Sequence, residues 1–308
     1  MTDQLEDREI GPVTVLFGKG GGKYPDGNSL LVRGDDETII IDPSLGVVAR
    51  HREGRLPDIH RVFNSHCHED HIAGNHLFPD VPWHVHSQDA MGFRSIDDFM
   101  GIYGFPEPIR SGWRQQCLDT FHYTPRPDVT PYAHDDLFDL GDVTIRVVHT
   151  PGHTRGHSLL VIEWGDRGSD ERLVYLGDIE LTGFGPYYGD AWSNLEDFER
   201  SLVTVRSIEA SWYATFHHIG VLDPEPFRER LERFANRIVE RETALLEYLE
   251  APRSMDEIVA HRFVYRPGPA AEFVDSVERR SMGMHIERLL ARRRVEEAEP
   301  GRYLALPE

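Results

Sequence analysis

Asn64-Ser65-His66-Cys67-His68-Glu69-Asp70-His71 places three histidines and an aspartate within six residues, directly after the apolar run Arg61-Val62-Phe63-Asn64. The run has the β-branched and aromatic character of a strand, so the H-x-H-x-D-H pattern falls in the loop leaving it. Imidazole nitrogens and carboxylate oxygens are the usual protein ligands of zinc, iron and manganese. Neighbouring residues at a strand end can reach two adjacent ions. A single histidine is more often a surface or core residue, but four donors in this order point to a metal site.

Three later stretches add donors, each after its own apolar run: Thr150-Pro151-Gly152-His153 with His157 beyond it, Leu176-Gly177-Asp178, and Thr215-Phe216-His217-His218. In this order the motifs resemble the metallo-β-lactamase superfamily over about residues 13–223. The resemblance implies an α/β fold, a four-layered αββα sandwich with two divalent metal ions at the mouth between two sheets. It assigns His66, His68 and His153 to the first ion, Asp70, His71 and a final histidine to the second, and Asp178 to both. Alternation along an extended chain lets only one of His217 and His218 face the ions. The register of the family's final histidine selects His218, with His217 as the alternative. Asp42 matches a family position that supports the metal loop, and His157 is expected to stand behind the ligands. Zinc is the first expectation for the metal, with iron or manganese as alternatives.

Asp178 stands where several true β-lactamases carry cysteine, so the resemblance favours the glyoxalase II, lactonase and thioesterase-like branch. The expected reaction is hydrolysis of a small ester, thioester or lactone by a metal-bound hydroxide, with Asp70 orienting the nucleophile or taking its proton. Two alternatives share the ligand set: a metal-dependent endoribonuclease or phosphodiesterase, and a non-haem iron oxidoreductase.

The 308 residues carry 53 acidic and 33 basic side chains, a net charge of -20 that repels polyanions and makes a nucleic-acid partner the weaker expectation. A small molecule is the expected partner, with a homodimer contact as a further one. Two cysteines, Cys67 and Cys117, are too few for a disulfide framework, and no apolar run is long enough for a membrane span. Together with an acidic first stretch lacking a basic, apolar leader, this predicts a cytoplasmic protein.

Apolar runs at 13–17, 29–33, 38–42, 83–86, 143–148, 158–162, 173–176 and 212–215 read as further strands. The glycine-rich stretch 18–27 is no phosphate-binding loop, because Tyr24 follows Lys23 where Ser or Thr is required. From about 87 to 135 prolines and aromatics interrupt the rhythm, which predicts a helical insert that shapes a pocket. His84 and His86 share one strand face, with His86 a possible lining residue of the site. The catalytic domain is expected over 1–225 and a helical, winged-helix-like module over 226–308. That module has a helix from Pro226 to Leu249, a second capped by Ser254 and Glu257, a third over about 270–293 and a β-ended tail. From Glu240 onward there are 14 acidic and 11 basic residues, so the run Arg292-Arg293-Arg294 reads as a charged helix end, and the module is expected to pack on the catalytic domain or make a dimer contact.

Overall fold

The computed structural model describes residues 6–165, 171–268 and 270–307. Its first sheet runs in chain order through β1 (Arg8–Ile10), β2 (Val13–Leu16), β3 (Ser29–Arg33), β4 (Thr38–Ile41), β5 (Arg61–Asn64), β6 (Trp83–His86) and β7 (Thr130–Tyr132). The β3–β4 pair is an antiparallel hairpin closed over Gly34–Glu37, and from β4 onward the pairing is parallel. Parallel neighbours need crossovers, which α2 (Leu45–Arg52) and the insert helices α3 (Ile96–Tyr103) and α4 (Ile109–Asp119) help to supply. A single turn, α1 (Lys19–Gly22), precedes them in the glycine-rich stretch.

The second sheet orders as β13-β12-β11-β10-β9-β8, from β8 (Leu137–Asp139), β9 (Val143–His149), β10 (Ser158–Trp164), β11 (Glu171–Tyr175), β12 (Trp212–Ala214) and β13 (Val221–Leu222). Its one parallel pair, β11 with β12, is joined through α5 (Leu195–Ser207). The long α6 (Pro224–Tyr248) follows β13.

Side-chain alternation builds the layers. Leu30, Val32, Ile39 and Ile41 face Val147, Leu160, Ile162 and Tyr175 across the gap between the sheets. Their neighbours Leu31 and Ile40 point the other way, onto Val47 of α2 and into a cluster with Phe99 and Tyr103 of α3. On the far side, Val148, Leu159, Val161 and Val174 meet Phe198 and Leu202 of α5 and Phe234 of α6. The result is the αββα order, with apolar side chains filling three interfaces.

The insert differs from expectation in one respect: its last residues form β7, which extends the first sheet. Pro131 is tolerated there because β7 is the edge strand. Beyond α6, the chain forms β14 (Arg253–Ser254), α7 (Met255–His261), α8 (Val274–Ala291), β15 (Val295–Glu299) and β16 (Arg302–Ala305), with a small three-stranded sheet and its own apolar cluster. Ser254 and Glu257 make the reciprocal capping box at the start of α7. No helix among the described residues is long and apolar enough to cross a membrane.

Candidate metal centre

The loops at one end of the two sheets bring the motifs together. His66, His68, His153 and Asp178 each offer a donor atom within 4.8 Å of the others, and so do Asp70, His71 and His217. In the first group His68 Nδ1 lies 3.1 Å from His66 Nε2 and 2.9 Å from His153 Nε2, and Asp178 Oδ2 lies 3.1 Å from His153 Nε2. Four donors around one ion at metal–ligand distances near 2.0–2.1 Å stand about 3.3 Å apart, so the spacing fits a tetrahedral cation. Asp178 also turns its other oxygen to within 2.8 Å of His71 Nε2 and 3.9 Å of His217 Nε2, which puts it between the two groups.

The far side of each ring decides what the near side can do. His153 Nδ1 is 3.0 Å from the Tyr187 carbonyl, His217 Nδ1 is 2.9 Å from the Gly22 carbonyl, and His71 Nδ1 is 2.7 Å from Asp42 Oδ2. Nitrogens facing these acceptors must carry the proton, which leaves lone pairs on the inward nitrogens. His217 Nε2 then confronts Asp70 Oδ2 at 3.0 Å, and that buried oxygen accepts no hydrogen bond. Two lone pairs facing each other in a buried site repel unless a cation or a proton lies between them. These clusters are suited to binding metal ions.

Protonation follows the same logic. Burial alone would lower His217, but the carboxylates of Asp178, Asp70 and Glu180 raise it to about 10. Burial opposes charge on His68 as well, yet Asp190 and the other nearby carboxylates bring it to about 9. For His66, burial and the neighbouring His71 outweigh Asp178 at 3.9 Å and hold the ring well below its ordinary value. Without metal the carboxylates draw protons onto the rings, so a metal ion binds in competition with protons.

Asp42, fully buried at the end of β4, accepts from the Ser65 backbone N–H and from the hydroxyls of Ser65 and Tyr175 while facing His71. His157 accepts the Asp178 backbone N–H at 3.1 Å, and burial lowers it to about 3, which keeps that nitrogen free to accept. Gly177 lets the chain reach this position: its φ is +51°, and an added Cβ would sit 2.7 Å from His157 Nε2.

The choice between the paired histidines is corrected by the structure. His217 is buried among the donors, whereas His218 is exposed, with φ +59°. The extended strand ends at Ala214, and the chain then closes a tight turn in which Thr215 and Gly220 bond each other and the Ile219 N–H bonds the His217 carbonyl. Strand alternation therefore does not carry the register to the pair. His86 is also corrected: it stacks on His149 at 3.9 Å and lines no part of the site, and His84 stacks on Phe63 in the core.

Sequence reasoning passed over several residues. Asp190, buried, places Oδ2 3.1 Å from His68 Nε2 and accepts from the Tyr187 hydroxyl. Asp89, also buried, takes the Cys67 N–H, the Thr154 hydroxyl and the Gly156 N–H, tying the two metal loops together. Glu180 brings a third carboxylate within 4.8 Å of Asp178 and His217 donors. Glu69 accepts from the hydroxyls of Tyr24 and Tyr103. Only the position of Glu69 inside the motif gave a signal in the sequence. The donors open onto a cavity of about 320 Å³ whose described lining contains no lysine or arginine. The insert contributes Tyr103, Phe105 and Trp113 to it, as expected of a pocket-shaping segment. Tyr265 and Phe273 come from beyond α6, a contribution the sequence did not suggest.

The sequence pattern of the metallo-beta-lactamase superfamily matches residues 24–226. Acyl-coenzyme A thioesterase MBLAC2 of Gallus gallus is 28% identical over 181 residues, covering 51% of this chain and 58% of that protein. An uncharacterized protein of Mycobacterium tuberculosis is 31% identical over 157 residues, covering 48% and 65%. The chain thus spans less than two thirds of the length of these curated relatives. Among solved structures, a metallo-beta-lactamase family protein from Thermus thermophilus has a TM-score of 0.69 at 22% identity, over 96% of this chain and 99% of that one. A beta-lactamase domain protein from Burkholderia ambifaria gives 0.67 at 18%, over 99% and 95%. At these identities the likeness concerns fold, and it extends past α6.

Proposed function

The chain belongs to the metallo-beta-lactamase superfamily, and from that premise we propose that it is a metal-dependent hydrolase of thioesters, within a wider class of small esters and lactones. The observation that carries the reading is the pair of donor groups sharing Asp178 at the base of an aromatic-walled cavity. His66, His68, His153 and Asp178 would hold one divalent ion, and Asp70, His71, His217 and Asp178 the other. Ions held there would supply an acidified water and a Lewis acid for the carbonyl, with zinc the first candidate.

The chain's own residues do the rest. Asp70, buried with its carboxylate 3.0 Å from His217 Nε2, stands where it can orient the attacking water and take its proton. The aromatic walls exclude bulk water and bind the acyl part of the substrate. The thioesterase named among the relatives supports this substrate class. A phosphodiester would meet walls without a cation and with the carboxylates of Glu69 and Glu180, so the nuclease alternative is disfavoured.

The test uses protein stripped with a chelator and reloaded with measured metal, assayed on an acyl-coenzyme A thioester, a lactone and a phosphodiester. Thioester cleavage should disappear on stripping and return with about two ions per chain. Cleavage of the phosphodiester alone would overturn the reading.

A further inference from the structure

Only two of the 33 Lys and Arg residues are lysines, Lys19 and Lys23, and they flank the turn Gly20-Gly21-Gly22. All three glycines have positive φ, and the Lys23 N–H reaches the Lys19 carbonyl at 3.2 Å, so the lysines stand at the two ends of one tight turn. Buried side chains hold that turn. Asp26 accepts the Lys19 and Gly46 N–H groups, both at 2.7 Å, while Asn28 accepts the Gly18 N–H at 3.1 Å and donates to the Gly21 carbonyl at 3.3 Å. The turn is also joined to the site. The Gly22 carbonyl takes the His217 ring at 2.9 Å, and Tyr24 lines the cavity and donates to Glu69 at 3.0 Å. Lys23 thus stands in the chain between two residues that touch the site. It also lies close to His218, another lining residue, where burial, His217 and Lys23 together lower the ring below its ordinary value. Both lysines are exposed, and neither ammonium group forms an ion pair or hydrogen bond among the described residues.

We propose that Lys23, with Lys19 at the other end of its turn, binds a phosphate on the thiol carrier of the thioester substrate, as coenzyme A would supply. The inference rests on the thioester reading above. With the acyl end inside the aromatic cavity, the thiol side points out through the mouth. The two ends then meet opposite surroundings. Inside, the walls carry Glu69 and Glu180, with no lysine or arginine in the described lining, so a phosphate is repelled there. At the rim, an ammonium on a long flexible stem meets a phosphate as a point charge. The net charge of -20 repels an anionic substrate at long range, and two cations at the entrance offset that repulsion where the substrate must pass. A thioester whose thiol lacks phosphate gains nothing from either lysine.

The experiment carries one acyl group on coenzyme A, on dephospho-coenzyme A and on N-acetylcysteamine, which keeps the thioester and lacks phosphate. Metal-loaded, full-length wild type, Lys23→Ala, Lys23→Arg and the double variant Lys19→Ala with Lys23→Ala are assayed, with metal content measured for each. In the double variant the ratio of kcat/KM for the coenzyme A thioester to that for the N-acetylcysteamine thioester should fall about tenfold. Lys23→Ala should lie between, and Lys23→Arg should keep the wild-type ratio. Added salt should lower the ratio in wild type and leave it nearly level in the double variant. A full loss with dephospho-coenzyme A assigns the contact to the pyrophosphate, and a smaller one to the ribose phosphate. In parallel, calorimetric binding of S-methyl-coenzyme A, whose sulfur is blocked, reads the contact without turnover, and its affinity should fall by a similar factor. If no thioester is cleaved yet this ligand binds wild type and not the double variant, the hydrolase reading fails and the lysine contact stands. A ratio and an affinity both unchanged in the double variant overturn the contact.

Discussion

His217 and His218 show how a single residue takes its role from its far side. His217 is anchored by the Gly22 carbonyl, which fixes the proton on Nδ1 and aims Nε2 at Asp70, while His218 turns out to solvent. His217→Ala should therefore lose one of two bound ions and His218→Ala should keep both, with metal stoichiometry at matched folding as the measurement. The same reasoning applies to Asp190, which faces His68 Nε2 and leaves Nδ1 to the first donor group. Asp190→Asn should weaken metal binding about 10–100-fold in a chelator competition, because the ring loses its charged orienting partner. Retention of wild-type affinity would remove Asp190 from the site. The donor types were legible in the sequence because their chemistry demands His and Asp at strand ends. Asp89 and Asp190 were not, since a residue that acts through another has no spacing to obey and is recognised only when the fold brings it near.

Among the elements, the long strands were legible from their β-branched runs, and β9, β10 and β11 extend only a residue or two beyond them. The short edge strands β1, β8 and β13 were not, because two or three residues with polar neighbours give no period to count. The helix α5 left a signal that was passed over: Asn194 caps it through the Asp197 N–H, and the acidic pair Glu196 and Asp197 opens its first turn. Where α6 meets α8, Glu242 pairs with His285 and Arg288, and Arg288 also reaches Glu199. Burial would raise the Glu242 carboxyl, but His285 and Arg288 bring it below its ordinary value. A depressed carboxylate contributes stability above the unfolded pKa, near 4.3, and loses it as pH falls through the folded value. Glu242→Gln should therefore flatten the loss of stability below about pH 4.5 relative to wild type, as read by denaturant unfolding across pH. Identical acid limbs for the two proteins would show that the pair does not couple to folding.

Across the whole molecule, part of the -20 net charge is spent inside the site, where Asp42, Glu69, Asp70 and Asp190 are all buried. From the sequence, the segment after α6 reads as a body that packs on the catalytic layers, since no donor lies beyond residue 218. The structure gives it a second task through Arg280. By holding the Gly189 carbonyl, this side chain on α8 pins the stretch that contains the Tyr187 carbonyl facing His153 and the Asp190 carboxylate facing His68. Two of the three histidines of the first donor group are thus oriented by a stretch that α8 holds in place. Arg280→Ala removes a charged donor from three carbonyls, each such bond being worth about 1.5–3 kcal/mol, while touching no metal donor. We expect it to weaken metal binding by about tenfold in a chelator titration. Arg279→Ala, whose exposed side chain pairs with Asp256 on α7, should change affinity less than twofold and serves as the control. A lower melting temperature for Arg280→Ala with unchanged metal affinity would instead show that the segment stabilises the fold and leaves the ligands alone.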